Sequence, residues 1–123
     1  MRILVTGAAG FLGKALTERL LAHGYSDIRC NVRRRADISK LDALVEQRPH
    51  IRLEYCVGDL RYREDAGRAV DGVQLVFHLA AGKKGTAADL FLNSVVASRN
   101  LLDAVADRKP MRIVLVSSLA YMG

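Results

Sequence analysis

The sequence predicts an α/β fold, a doubly wound parallel sheet of five strands with helices on both faces. The first observation is that apolar runs suited to strands alternate with stretches of helical periodicity along the 123 residues. Such alternation produces right-handed βαβ units and a parallel sheet. The second is that the runs 2–6, 74–79 and 112–116 are almost continuously apolar, as expected for strands covered on both faces. The length suits one domain spanning residues 1–123.

The first half of the chain predicts two strands and two helices. A strand at 2–6 precedes a helix at 11–23, which carries leucines at helical spacing and has Gly24 as a natural C-cap. The second strand is predicted at 28–32. A second helix at 38–47 follows, and Pro49 marks its end.

The second half predicts three strands and two helices. Residues 51–55 alternate apolar and charged side chains, which predicts an edge strand with one wet face. The spatial strand order is then 3-2-1-4-5, the Rossmann-like order, incomplete at its C-terminal edge because the usual sixth strand is missing. The other predicted elements are a helix at 63–70, a strand at 74–79, a helix at 87–108 and a strand at 112–116.

A glycine-rich turn lies between the first strand and the first helix. Gly7 permits a tight turn, Gly10 lets the backbone approach a pyrophosphate, and Gly13 lets the helix pack closely against the strand. The start of the helix adds unpaired N–H groups and the positive end of the helix dipole. The turn therefore predicts a dinucleotide phosphate site, and a purely structural turn is the alternative.

The residues after the second strand predict which dinucleotide binds. An acid about twenty residues past the glycines would bind the ribose 2′-hydroxyl of NAD. This chain instead has Arg33, Arg34 and Arg35, and its next acid is Asp37. Guanidinium groups suit a 2′-phosphate, so we predict NADP, with NAD as the alternative if Asp37 turns towards the ribose. A plain solvated arginine turn is the third interpretation.

The composition and charge of the chain indicate which kinds of binding partner to expect. The net charge is +6, and much of the basic charge lies between Arg29 and Arg68, which we interpret as a solvated edge plus one anionic cofactor. No nucleic-acid motif accompanies this charge, so nucleic acid is an unfavoured partner. No apolar run reaches the ~18 residues of a membrane span and no secretion signal is visible, so we expect no membrane partner and a cytoplasmic protein. Cys30 and Cys56 lack metal-site spacing and are expected to be reduced, buried thiols.

Together these motifs resemble the N-terminal, NAD(P)-binding part of an extended short-chain dehydrogenase/reductase, the NAD(P)-dependent epimerase/dehydratase group. The resemblance covers essentially the whole chain. The matching stretches are residues 6–13, 58–60, 78–81, 100–104 and 116–118, with Asn93 and Gly123. Ala97 and Ser98 depart from the family pattern, in which glycine and threonine are usual.

The resemblance implies roles for particular residues. Asp59 would bond the adenine amino group, and Leu60 would pack against the adenine. Ala80 and Ala81 would line the cofactor beside the ribose and pyrophosphate. Ser118 would be the active-site hydroxyl, with Ser117 as the register alternative and a further cofactor contact. The cofactor-binding turn would comprise Gly7, Ala9, Gly10, Phe11, Leu12 and Gly13.

Some of these residues also have structural interpretations. From the residues alone, Asp59 is equally a cap for the helix that follows it. His78 is expected to be a hydrogen-bonded residue at a strand end and not a base. Asn93 is expected to bond backbone, and the two lysines 83 and 84 to be solvated.

The family's chemistry is hydride transfer assisted by a Tyr-x-x-x-Lys pair. None of the four tyrosines has a lysine four residues later. The resemblance places this pair beyond the fifth-strand serine, so we expect a truncated, non-catalytic cofactor-binding portion, with a small-molecule substrate only in a full-length form. A stand-alone dinucleotide-binding or sensing module is the alternative. The apolar fifth strand would be left uncovered, which predicts self-association.

Overall fold

The sheet has five parallel strands in the order β3-β2-β1-β4-β5, which confirms the predicted order. The computed structural model describes residues 1–46, 48–79, 86–108 and 112–116, without the side chains of residues 90, 92 and 93. The strands are β1 (Ile3–Thr6), β2 (Ile28–Val32), β3 (Glu54–Val57), β4 (Leu75–His78) and β5 (Arg112–Leu115). The helices are α1 (Phe11–Ala22), α2 (Ile38–Val45), α3 (Arg63–Val70), α4 (Ala87–Phe91) and α5 (Ala97–Ala106).

Strand β1 is the centre of the sheet, and all four of its residues are buried. Its register places Val5 beside Cys30 of β2 and beside Phe77 of β4. The chain moves outward from β1 in one direction through β2 and β3, and in the other through β4 and β5. The carboxyl ends of β1 and β4 therefore mark the point where strand order reverses, where sheets of this kind bind ligands.

The two faces of the sheet carry separate apolar cores. Successive side chains of a strand point to opposite faces, so Ile3 and Val5 join one core and Leu4 joins the other. Leu20 of α1 and Leu41 of α2 complete the first core. The second core contains side chains of α3, β4 and α5. Helices thus cover both faces, as the continuous apolar strands predicted.

The third strand was predicted at 51–55, and this placement was wrong. Pairing with β2 begins at Glu54, which lies beside Arg29, and ends at Val57. Ile51 and Leu53 pack against the first core although they precede the strand. Their alternation with charged residues therefore reflects packing of an irregular segment and not a strand. The edge position of β3 was predicted correctly.

Helix ends also differ from the predicted ones. Helix α1 ends in a Schellman motif, in which Gly24 donates to Leu21 O at 3.1 Å and Tyr25 donates to Leu20 O at 3.1 Å. Gly24, at φ +91°, therefore lies one residue past the C-cap, His23. The helix predicted at 87–108 is interrupted by a π-helical segment, Leu92–Val96, and ends at Ala106.

Strand β5 pairs with β4 and exposes apolar side chains. Its register places Ile113 beside Val76 and Val114 beside Phe77. Leu115 is 56% exposed, and Val114 and Val116 are exposed as well. Cys30 is a buried free thiol, as predicted, whereas Cys56 is only half-buried because it lies on the edge strand β3. Within the described parts of the chain, no helix is long and apolar enough to cross a membrane.

Candidate functional site

A cavity of about 290 Å³ opens at the carboxyl ends of β1, β2 and β3. It brings together most of the predicted cofactor residues and adds several others. Predicted residues that line it are Gly7, Ala9, Gly10, Phe11, Leu12, Gly13, Arg33, Asp59 and Leu60. The further lining residues are Ala8, Asn31, Val32, Asp37, Leu79 and Ala97.

The glycine turn forms one wall of this cavity. Gly7 adopts φ +63°, a left-handed conformation that favours glycine, and its carbonyl accepts a hydrogen bond from Gly10 N–H at 3.1 Å. A Cβ on Gly13 would lie 2.1 Å from Gly7 O and 2.7 Å from Ala8 Cα. Helix α1 therefore begins in direct contact with the turn, and only glycine fits at this contact.

The N-terminus of α1 is free to accept an anionic ligand. Gly10 is the N-cap residue, no side chain caps the helix, and no acidic residue lies in its first turn. The first N–H groups of a helix have no partner within it, and they carry the positive end of its dipole. Phe11, Leu12 and Gly13 all line the cavity. The turn and the helix start thus fit the pyrophosphate of a dinucleotide.

Arg33 and Asp37 lie at the end of the cavity next to β2. Arg33 follows β2 directly, and its Nη2 lies 3.5 Å from Asp59 Oδ2. Asp37 is buried and pairs with Arg34 Nη2 at 3.3 Å and Lys40 Nζ at 3.4 Å. Burial favours a higher pKa for Asp37, but the hydrogen bonds from these two cations outweigh it and lower the pKa. Asp37 therefore lies at the cavity as a carboxylate with two cationic partners.

Arg34 itself is not among the residues that line the cavity. Its guanidinium pairs with Asp37, which does line the cavity. A direct contact between Arg34 and a cofactor therefore stays a prediction, whereas Arg33 lies at the cavity wall.

Asp59 follows β3 and binds Arg61 through both carboxylate oxygens. Arg61 donates from Nε at 2.8 Å to Oδ2, and from its backbone N–H at 3.0 Å to Oδ1, which closes an Asx turn. Helix α3 has Tyr62 as its N-cap residue and no side-chain cap bond, so Asp59 does not cap that helix. Burial works against ionisation, but bonds from Arg61 and the charge of Arg33 lower the Asp59 pKa.

Two side chains that the sequence did not identify as site residues hold this loop in place. Asp65 Oδ2 accepts from Asp59 N–H at 2.8 Å. Asn100 Nδ2 of α5 donates to both Leu60 O and Arg61 O at 2.9 Å. The available signals were an acid six residues after Asp59 and an asparagine on the apolar face of a helix. Neither signal identifies its partner without the fold.

His78, the last residue of β4, links β1 to α5. Its Nδ1 lies 2.7 Å from Thr6 Oγ1, and its Nε2 lies 2.9 Å from Ser98 Oγ on α5. Burial lowers the His78 pKa. The prediction that His78 is a hydrogen-bonded residue at a strand end is confirmed. Ser98, at a position where the sequence departs from the family pattern, supplies one of the two partners.

Four predicted site residues lie outside the described residues. They are Ala80, Ala81, Ser117 and Ser118. The side chain of Asn93 and the two lysines at 83 and 84 are also outside the described part. Their predicted roles stay predictions.

Comparison with known proteins identifies the class that this fold and cavity define. The model of the NAD dependent epimerase/dehydratase family matches residues 3–123. The chain belongs to this family. A curated relative, sterol demethylase protein B of Methylococcus capsulatus, is 36% identical over 126 residues that cover 100% of this chain and 36% of the relative.

Two solved structures with bound NAD are similar in fold and sequence. One is a short-chain dehydrogenase/reductase superfamily protein from Agrobacterium tumefaciens, with a TM-score of 0.77 and 30% identity over 97% of this chain and 33% of that one. The other is a double mutant of DesIV, a dTDP-glucose 4,6-dehydratase from Streptomyces venezuelae. It has a TM-score of 0.81 and 29% identity over 96% of this chain and 39% of its own.

The chain spans little more than a third of the length of these relatives. Within that span lie the glycine turn, the parallel sheet and the cavity described above. The chain is therefore the dinucleotide-binding portion of a fold shared by epimerases, dehydratases and reductases.

Proposed function

We propose that the cavity binds NADP in preference to NAD, and that the protein containing this chain is an oxidoreductase, epimerase or dehydratase acting by hydride transfer. The observation that carries the proposal is the position of Arg33, a cavity-lining cation placed immediately after β2. An acid at the end of this strand would favour the ribose 2′-hydroxyl of NAD. A guanidinium there favours a 2′-phosphate.

The surroundings of Asp37 support the same preference. Asp37 is the first acid after β2 in the sequence, and it is already paired with Arg34 and Lys40. With Asp59 and its partner Arg61 included, Arg33 and the side chains next to it comprise four cations and two carboxylates. A phosphate monoester carries about −1.5 to −2 charges at neutral pH, so this excess of positive charge favours the phosphorylated ribose.

The other predicted site residues would bind different parts of the dinucleotide. The glycine turn and the start of α1 would hold the pyrophosphate through backbone N–H groups, and Leu60 would offer an apolar surface to the adenine. A bound nicotinamide would supply the hydride chemistry. Ala80 and Ala81 are proposed to line the cofactor beside the ribose and pyrophosphate. Ser117 is proposed as a further cofactor contact and Ser118 as the active-site hydroxyl.

Arginine variants test the cofactor preference. We expect Arg33→Ala to weaken NADPH binding about tenfold, because one charge-assisted hydrogen bond to phosphate is lost, and to change NADH binding less than about twofold. Arg34→Ala should have a smaller effect, since Arg34 is engaged by Asp37. NADPH and NADH fluorescence titrations measure both affinities.

The matched control is Arg99→Ala, which removes the same charge from an exposed side chain of α5 that pairs with Asp103. Equal losses of NADPH and NADH affinity in Arg33→Ala would mean that Arg33 does not read the 2′-phosphate.

A further inference from the structure

We infer that Arg61 is a positioning residue that sets the cofactor preference by keeping Arg33 available for the 2′-phosphate. Arg61 and Arg33 both contact the Asp59 carboxylate, and Arg61 makes the closer contact. This inference rests on the proposed binding of NADP at the cavity. It gives Arg61, which does not line the cavity, a role in selecting the cofactor that binds there.

The distances show how unequally the two arginines share Asp59. Arg61 Nη2 lies 2.7 Å from Asp59 Oδ2, and Arg61 Nε donates to the same oxygen at 2.8 Å. Arg33 Nη2 lies 3.5 Å from that oxygen, beyond the usual range of a strong charge-assisted hydrogen bond. Arg61 is therefore the principal partner, and Arg33 is held only loosely.

The fold explains why Arg61 is the better placed of the two. Its backbone N–H donates to Asp59 Oδ1, and its carbonyl accepts from Asn100 Nδ2 on α5. Its guanidinium lies 6.0 Å from the centroid of the Tyr62 ring. The Arg61 side chain is 28% exposed, against 56% for Arg33. Less conformational freedom is lost when the more restrained side chain binds, so the Arg61–Asp59 pair is the more stable of the two.

Removing Arg61 changes what Arg33 does. The Asp59 side chain is only 19% exposed and is ionised, so it needs a cationic partner. Arg33 is the other cation in contact with it among the described residues. Arg33 would then move onto Asp59, and the cavity would lose a phosphate-binding guanidinium. Losing this guanidinium penalises the binding of NADPH more than that of NADH, and the loss requires the Asp59 charge.

The test is a double-mutant cycle with NADPH and NADH titrations on the 123-residue chain. We expect Arg61→Ala to weaken NADPH binding about fivefold and NADH binding less than twofold. In the Asp59→Asn background the same substitution should change the NADPH-to-NADH affinity ratio less than about twofold, because the competing charge is gone. The ratio is used because Asp59→Asn itself can alter adenine binding equally for both cofactors.

Arg63→Ala is the matched control, since it removes an arginine two residues further on that pairs with Asp103 away from the cavity. Arg61→Gln is the second variant, which removes the same charge and should lower the affinity ratio in the same way. Circular dichroism checks that each protein is folded. An affinity ratio that falls equally in Arg61→Ala and Arg63→Ala would overturn the inference, as would a fall that persists with Asp59→Asn. Failure of the unsubstituted chain to bind either dinucleotide would instead contradict the proposed function.

Discussion

At Gly13 the backbone of α1 lies so close to the glycine turn that a methyl group has no room. The atoms that a Cβ would meet, Gly7 O at 2.1 Å and Ala8 Cα at 2.7 Å, are backbone and cannot move without opening the turn. The glycine spacing predicted this close approach. The residue therefore connects stability and ligand binding, because the same contact positions the N-terminus of α1.

We expect Gly13→Ala to lower the free energy of unfolding by about 1–3 kcal/mol, the usual cost of overpacking, and to abolish dinucleotide binding. Urea denaturation measures the first effect and NADPH titration the second. Gly67→Ala is the control, since a Cβ on this residue of α3 meets its nearest atom at 3.8 Å. That substitution should raise stability by about 0.5–1 kcal/mol. Equal stability of the two variants would contradict this account of the contact.

Residue roles were predictable where they follow from strand ends, and not where they depend on local pairing. Arg33 could be placed at the cavity because it comes directly after β2. The pairing of Asp37 with Arg34 and Lys40 depends on the 3-10 turn Arg35–Asp37, which no sequence signal specified. The sequence also left open whether Asp59 caps the following helix or binds the adenine, because several geometries put its carboxylate near a backbone N–H.

At the scale of elements, Arg29 joins β2 to the end of α3. Its side chain is buried, although it was counted with the solvated basic residues, and that interpretation is wrong for this position. Nη1 donates to Ala69 O and Asp71 O at 2.7 Å, and Nε donates to Glu54 at 3.0 Å. A cation at a helix C-terminus satisfies carbonyls that lack partners in the helix and interacts favourably with its dipole.

We expect Arg29→Met to lower the free energy of unfolding by about 2–4 kcal/mol, because it leaves carbonyls at the end of α3 without their partner and removes one of the two arginines that pair with Glu54. Thermal and urea denaturation measure the change. Arg52→Met is the control: Arg52 is exposed, and its substitution should stay within about 0.5 kcal/mol. A loss below 1 kcal/mol for Arg29→Met would show that water replaces the guanidinium at the end of α3.

The elements themselves were predicted well where the apolar pattern is continuous or regular, and poorly where the same pattern fits more than one local structure. The continuous apolar strands β1 and β4 and the amphipathic helix α1 were placed to within two residues. Strand β3 is as long as β1 and β4, but Ile51 and Leu53 before it pack into the core as strand residues do, so the apolar pattern did not mark where the strand begins. The π-helical segment Leu92–Val96 changes hydrogen bonding without changing the apolar pattern, so no sequence signal revealed it.

At the scale of the whole molecule, the sheet has one edge that charge protects and one that is apolar. Edge strand β3 carries Glu54 and lies beside Arg29 and Arg68. Edge strand β5 of the described sheet instead exposes Val114 and Leu115, and Val116 directly after it is exposed as well. Exposed apolar strand edges template pairing with other chains.

We propose that the chain self-associates through β5, and we expect its apparent mass in size-exclusion chromatography to rise with concentration. Leu115→Lys, which places a charge on an exposed position of this strand, should suppress the rise. Phe91→Lys, at an exposed apolar position on α4, is the control and should leave it unchanged. A monomer at every concentration would refute the proposal.

The most direct test of the whole account is calorimetric titration of the 123-residue chain with NADPH and with NADH at low salt. The account predicts saturable binding of one dinucleotide per chain, with NADPH bound about tenfold more tightly than NADH because Arg33 meets the 2′-phosphate. If neither dinucleotide bound more tightly than about 1 mM, the cavity at the glycine turn would not be a cofactor site in this chain.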